Sequence, residues 1–569
     1  MSFILLTAAV VHVPLLLMEL PLNSYDANLH IFFASHYLHH WFNPWNAKWF
    51  AGFSQTTYPP LAQQWIAIFA HGIGLEMAYM LVQFLAIVVL AYGMYRYATI
   101  WVGERAASFA ALGVVLLGSE SFLIYNAGQL GTTWEAALYV LALPYLYEWL
   151  RYGGFRPFLK AVVLFATACA AHDVIVIFGT VFFTVPLIAL ALMERNKGEE
   201  TTTRGAVLGR VIAMLIVASA AIAAVLLPYW IALFAYRITQ IPIPHASRAN
   251  YILSPFWGLN YFVVPYGAMI LALPFIILRG ARVRRLRPLL IGFWFCFMIG
   301  LGGTTPMGEW ILQRAFDVLT MERFSYWATL MALPIVGLLC SELVGRFRMR
   351  AAVPLGLLAA FTCAGAVAWS TFRPTDNYPF SVEPVAQWLD RGGHDQYRYI
   401  ALGFGNKLSR LTMETKATTV DGEWYSARRL PELTKYGGGS LDNSKYFGSG
   451  GLEALQAILR HADRYGLKWI FVRDPYYYPL LDFAGYRQVD QLDFGRVTVW
   501  SKEGVPPAHP MVFGIKPPTW QGILWGTLPV GSSILALLLM LVPDQRRRQF
   551  EDGTTDEEDS TVVAERMAS

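Results

Sequence analysis

Long apolar runs alternate with short polar breaks along most of this chain. Runs at 3–20, 77–101, 106–125, 133–150, 159–171, 174–193, 207–236, 261–278, 289–303, 324–343, 351–371 and 520–542 read as helices. Most come near the roughly 20 apolar residues that a bilayer-spanning helix needs. A further apolar stretch, 61–73, starts at Pro59-Pro60 and closes at His71-Gly72-Ile73-Gly74. It is too short for a comfortable span and is expected to be interfacial or re-entrant.

The pattern changes in two places. Within 26–40, Leu29, Phe32, Phe33, His36, Tyr37 and His40 recur at helical spacing, predicting a helix lying on the membrane surface. From 372 to 516 the long apolar runs stop. Helices are expected there at 382–391 and 451–465. Short β-branched and aromatic runs at 397–402, 469–472 and 496–501 predict strands. Segment 403–450, rich in Gly, Ser, Lys and Arg, is expected to be mostly loop. Its Gly437-Gly438-Gly439 is followed by no phosphate-motif helix, so it is not a P-loop.

These readings divide the chain into a transmembrane domain, 1–371, with a first outer loop at 21–60. An extracytoplasmic α/β domain, 372–516, follows, then a last transmembrane helix, 517–543. The tail, 544–569, is charged and expected to be cytoplasmic and disordered.

Composition agrees with a polytopic α-helical membrane protein of about 12 transmembrane helices. Hydrophobic residues make up 56% of the 569 and charged residues 15%, against about 25% charged in soluble domains. The net charge of +5 comes from arginines and lysines in short loops, so it reports orientation and implies no nucleic-acid partner. Arg96/Arg105, Arg151/Arg156/Lys160, Arg195/Lys197/Arg204, 279–287, 346–350 and 546–548 close alternate loops or the tail. The positive-inside rule places all six in the cytoplasm if 61–73 does not cross. The expected location is the inner membrane, multi-pass, with both termini cytoplasmic and the 372–516 domain outside. Residues 1–20 lack a basic n-region and read as a retained helix. Cys169, Cys296, Cys340 and Cys363 all fall in apolar runs and read as core residues, with no metal spacing.

The outer side gathers the polar chemistry. Asp26 follows the first helix, beside aromatics. It could take a proton from a hydroxyl or simply cap the next helix. His30 shares a helical face with it and could pair with it, bind phosphate, or be an interfacial polar tip. His36, His39 and His40 read as amphipathic anchors before they read as a metal cluster. His172-Asp173 interrupts an apolar run, as a turn or as a second polar pair in a cavity. Glu120 and Glu135 flank an outer loop and could bind a sugar or a metal, or sit in solvent. Arg323 could clamp a lipid phosphate bidentately or pair with Glu322 or Glu309. Lys48, Arg237 and Arg248 are further phosphate-binding candidates.

One stretch carries a resemblance. Tyr25-Asp26-Ala27-Asn28-Leu29-His30, Pro44-Trp45, Gly52 and Tyr58-Pro59-Pro60-Leu61 follow a first helix, and Met321-Glu322-Arg323-Phe324 starts a late one. This layout resembles the GT-C superfamily of membrane glycosyltransferases. More narrowly, it is similar to bacterial membrane proteins named for a 6-pyruvoyl-tetrahydropterin synthase-related domain. The resemblance implies transfer of a sugar from a polyprenyl-phosphate donor at the outer membrane face, to a lipid, glycan or protein acceptor. It implies that Asp26 serves as base, or as ligand of a divalent cation such as Mg or Mn. The first loop has no D-x-D or D-E pair, and the W-W-D-Y-G motif of oligosaccharyltransferases is absent. Two rival readings are a transporter or flippase of lipid-linked glycans and a non-catalytic envelope scaffold. The central helices are almost free of charge and no internal repeat is visible, which weakens the first.

Overall fold

A computed structural model describes residues 1–194, 202–235, 242–372 and 380–543. Among them, seven helices are long and apolar enough to cross a membrane: Leu75–Ala98, Glu104–Ala127, Val174–Met193, Arg204–Val225, Glu322–Phe347, Met349–Phe372 and Thr519–Leu541. Pro255–Tyr266 and Met269–Arg282 pass together but are bent by 66°, giving eight if they count as one span. The remaining apolar runs form shorter or more polar helices. Ser2–Leu17 has 16 residues, Phe155–Ala171 has 17 and Arg287–Gly300 has 14. Leu130–Tyr152 is long enough but carries Glu135, Glu148 and Arg151.

Two expected continuous helices are broken. The 207–236 run splits at Leu226, and the second piece, Leu227–Ala235, has Pro228 at its start. A proline there donates no hydrogen bond back to the preceding turn. The 261–278 run bends at Gly267, whose φ is +49°. A Cβ on Gly267 would lie 2.2 Å from Thr362 Cγ2, so the bend rests on a residue with no side chain.

The first outer loop departs most from expectation. Helix Ala27–His40 is packed deeply against protein: Ala27 through Ala34 are all buried, and so is Tyr37, while His39 and His40 are exposed. It is wedged between helices Leu61–Ile73 and Leu75–Ala98 on one side and helix Lys407–Glu414 on the other. After it, β1 (Trp45–Asn46) and β2 (Phe53–Ser54) form a small antiparallel hairpin. At its tip Phe50 and Ala51 adopt φ of 53° and 56°. This turns the backbone outward, so that Thr419 N donates to Lys48 O (2.9 Å), Phe50 N to Asp421 O (3.3 Å) and Ala51 N to Thr419 O (3.0 Å).

Residues 380–516 hold a four-stranded mixed sheet, β3 (Arg398–Leu402), β4 (Leu467–Val472), β5 (Arg487–Leu492) and β6 (Val497–Ser501), in the order β3-β4-β6-β5. β3 and β4 are parallel, and the other pairs antiparallel. Three strands lie on the apolar runs of the sequence. The fourth, β5, is almost wholly exposed along Arg-Gln-Val-Asp-Gln-Leu, an edge strand with no apolar alternation to announce it. The expected loop region 403–450 also contains helices Lys407–Glu414 and Pro431–Tyr436. One face of the sheet shares its core with the outer loop. Leu29, Phe32, Phe33, Trp49, Phe50, Phe53 and Tyr58 pack in one cluster with Ile400, Leu402, Val420, Ile470 and Val472. Trp49 and Phe50 are fully buried there. The aromatics of 32–58 therefore fasten the sheet domain onto the helices.

Candidate active site

Asp26 is held from the backbone. Tyr25 N and Asp26 N donate to Asn126 O and Ala127 O, each at 3.0 Å. The acceptors end a π-helical turn, Leu123–Ala127, at Gly128, with φ +69°. A Cβ on Gly128 would meet Ser24 Oγ at 2.3 Å and Ala27 N at 2.7 Å. Glycine is thus required on two counts, by the left-handed backbone and by the close approach. Asp26 stands at the N-cap position of helix Ala27–His40, but its side chain makes no capping hydrogen bond. The capping explanation of Asp26 therefore fails, and its carboxylate is left for other work.

The surroundings of that carboxylate are mixed in charge. Burial pushes Asp26 up to about 7, the nearby Arg323 guanidinium and His172 pull it down, and Glu322 pushes it up. A carboxylic acid poised near neutrality is suited to accept a proton. Tyr25 is 52% exposed, yet burial is the first cause that pushes its phenol up.

Three elements build the wall beside Asp26. Gln129, next to the critical glycine, donates from Nε2 to Glu322 Oε1 (3.1 Å) and accepts at Oε1 from Arg323 Nε (3.3 Å). This bridge sets the guanidinium at the start of helix Glu322–Phe347. His245 Nδ1 stands 4.0 Å from Glu322 Oε2 and accepts from Ser247 N at 3.2 Å. Burial keeps His245 below its usual range despite Glu322. Arg248 donates to Leu319 O at 2.7 Å.

A second group lies under Tyr58. Glu135 Oε1 accepts from Ile175 N (2.7 Å) and Val176 N (3.1 Å), satisfying the opening amides of helix Val174–Gly179. Glu135 Oε2 lies 3.4 Å from His172 Nδ1. Tyr229 donates to Asp173 Oδ2 at 2.6 Å. The rings of Tyr58 and His172 meet edge to face at 6.0 Å. His172 and Asp173 are thus a polar pair in the protein interior, held by Glu135 and Tyr229.

Not every expected residue reaches this place. His30 is buried and held well below its usual range, at about 3, by burial and by His172. Its Nδ1–H donates to Gln63 Oε1 at 2.8 Å, while the Gln63 amide nitrogen donates to Pro59 O and Pro60 O. The neutral ring braces the Tyr-Pro-Pro corner and makes no hydrogen bond with Asp26. Lys48 points into the sheet domain, donating to Thr415 O at 2.5 Å. Glu120 is buried against Tyr326 and is not among the groups that act on Asp26. Arg237 lies outside the described residues. His36 bonds Asn43 O at 2.7 Å, and among the described residues no group of three or more His, Cys, Asp or Glu is arranged to hold a metal ion. Of the charged groups that act on the Asp26 carboxylate, Arg323 pulls it down most.

Sequence reasoning did not single out Gln129 or His245, which bridge to or lie beside Glu322 and Arg323. Gln129 had a signal in its setting, Gly128-Gln129-Leu130-Gly131, a polar residue between glycines at a helix end.

No protein-family model and no curated protein matches the chain. Solved structures do. ArnT from Cupriavidus metallidurans in the apo state matches at 11% identity and TM-score 0.50, over 87% of this chain and 97% of that one. The mycobacterial arabinofuranosyltransferase AftD matches at 14% and 0.47, over 88% of this chain. The Archaeoglobus fulgidus oligosaccharyltransferase matches at 14% and 0.46, over 81% of this chain and 67% of that one. This chain spans about 40% of the length of AftD. These neighbours are GT-C glycosyltransferases, and the likeness to ArnT shows a shared fold. The narrower likeness to pterin-synthase-related membrane proteins finds no support.

Proposed function

We propose that this protein transfers a sugar from a polyprenyl-phosphate donor to a lipid, glycan or protein acceptor at the outer face of the membrane. The observation that carries this reading is the Asp26 carboxylate. It has no hydrogen-bond partner among the described residues, is raised to about 7, and has a guanidinium beside it. ArnT, whose fold this chain shares, is also solved bound to undecaprenyl phosphate, the kind of lipid that a polyprenyl-phosphate sugar donor leaves behind.

In this reading Asp26 takes the proton of an acceptor hydroxyl as its oxygen forms a bond to the anomeric carbon. The bond from that carbon to the phosphate oxygen breaks, its electron pair leaves with polyprenyl phosphate, and the configuration inverts. Arg323, held by Gln129, stabilises the charge growing on the phosphate, with Arg248 on the same wall. Gln129 and Glu322 fix the guanidinium, and Glu135 and Tyr229 fix His172 and Asp173. The charge pattern of the loops orients the Asp26 side outward. The chain in nanodiscs, given a panel of polyprenyl-phosphate sugars and candidate acceptors, is expected to release polyprenyl phosphate from at least one donor. Binding without release across every donor and acceptor pair would favour a transporter.

A further inference from the structure

An open cleft lies where the sheet domain meets the ends of two apolar helices. It measures about 520 Å³ with its mouth included. Trp45 and Phe53 of the β1–β2 hairpin form one wall. Ile231, Ala232 and Ala235 form a second, on helix Leu227–Ala235, which follows the span Arg204–Val225. Phe513, Ile515 and Pro517 form a third, on the stretch that leads into the span Thr519–Leu541. Ala427 and Arg429 of the sheet domain complete it. None of these residues belongs to the Asp26 and Arg323 group.

Close packing holds these walls in place. A Cβ on Gly52 would lie 2.6 Å from Trp45 Cζ2, so the indole rests against bare backbone. A Cβ on Gly522 would lie 2.0 Å from Phe42 O, and Trp41 Nε1 donates to Gly526 O at 2.8 Å. The last membrane helix is thus pressed onto the chain just before the hairpin. The rim has the character of a membrane boundary. Phe234 is 83% exposed and Trp520 48%, and Lys516, between two lining residues, is exposed as well. Exposed apolar groups with a Trp and a Lys at the end of a spanning helix mark the level of the lipid headgroups.

The charge at the cleft is positive. Arg429 Nη1 donates to Ser426 O (2.9 Å) and Arg428 O (2.7 Å), and Arg428 Nη1 donates to Tyr425 O (2.7 Å). Two guanidiniums are therefore held on one short turn. Burial pulls Arg428 down to about 10, and Arg429 beside it adds to the effect. An anion in the cleft would ease that repulsion, and guanidinium suits phosphate. Walls this apolar favour an anion that carries a hydrocarbon chain. We propose that the cleft seats one anionic phospholipid, its phosphate at Arg429 with Lys516 on the rim, and one acyl chain along Trp45, Phe53 and Ile231. A zwitterionic lipid would bring its own cation up to the arginine pair and is disfavoured. The donor phosphate is assigned above to Arg323, so this is a second lipid, and the inference does not depend on sugar transfer.

The test is native mass spectrometry of the full chain in detergent, titrated with dioleoyl phosphatidylglycerol and, separately, dioleoyl phosphatidylcholine. One phosphatidylglycerol is expected to bind about tenfold more tightly than phosphatidylcholine. Arg429→Gln should remove that preference, a loss of about tenfold for one charge-assisted contact, and Arg429→Lys should restore part of it. Ala235→Trp, which fills the cleft, should weaken both lipids. Ala235 is exposed, so this variant carries the test even where a change at Arg429 lowers the melting temperature. Equal affinity for the two lipids overturns the proposal, as does phosphatidylglycerol binding that Ala235→Trp leaves unchanged. One-for-one displacement of phosphatidylglycerol by undecaprenyl phosphate would give the cleft to the donor lipid and overturn the assignment to a phospholipid.

Discussion

The rate of sugar transfer should follow the ionisation of Asp26. With Asp26 raised to about 7 by burial, half the molecules carry the base form at neutrality. About a tenth do so one unit lower and about a hundredth two units lower, so kcat/KM should fall close to tenfold per unit on the acidic side. Arg323 is the largest influence drawing the value down. Arg323→Gln removes that charge, so the acidic limb should move to higher pH in addition to any loss of donor affinity. The stability sign is opposite to the catalytic one. The folded value lies above the ordinary 3.8, so the contribution of Asp26 to stability is full below about pH 4 and is lost as pH rises through about 7. Activity thus rises over the same range in which Asp26 ceases to favour the fold. The assay is polyprenyl phosphate release from pH 5 to 9 at low donor concentration, for both proteins. A flat profile between pH 5 and 8, or a limb that moves down in Arg323→Gln, would refute the assignment.

Other predictions concern the frame. Gly128→Ala places a methyl group against Ser24 and Ala27 in left-handed backbone and should cost about 1–3 kcal/mol, read as a lowered Tm together with lost activity. Glu135→Ala strands the amides of Ile175 and Val176. It should cost about 1–3 kcal/mol for each, whereas Glu135→Gln, which keeps an acceptor, should recover most of the lost melting temperature. Trp49→Ala empties a fully buried site between loop and sheet and should cost about 3–5 kcal/mol. Limited proteolysis is expected to cut the sheet domain first in that variant. His30→Gln should leave the acidic limb of the pH profile in place, because His30 bonds Gln63.

The membrane character of the chain was legible because burial in lipid selects continuous apolar runs, a signal that needs no partner to be read. Asp26 stood out for the same reason, as a charge beside such a run. What the sequence concealed depends on contacts between distant segments. Helix Ala27–His40 looked amphipathic, but Asn28 and His30 are buried within the fold while His39 and His40 stay exposed. Lys48 looked like a free cation until Thr415 supplied its partner. His30 lies four residues after Asp26, yet the ring turns to Gln63, since Pro59 and Pro60 place that amide within reach. The edge strand β5 carries no buried face, so no periodicity marks it. The docking of Trp424 on Tyr58 joins residues some 365 positions apart in the chain.

The central claim is that Asp26 is the base for sugar transfer, and one comparison tests it most directly. Wild-type, Asp26→Asn and Asp26→Glu proteins are placed in nanodiscs with a donor that the wild type turns over. Release of polyprenyl phosphate is measured alongside donor binding. The account predicts unchanged binding in all three, a loss of about 10²–10⁴-fold in Asp26→Asn, and partial activity in Asp26→Glu. Full release by Asp26→Asn, with binding intact, would contradict it.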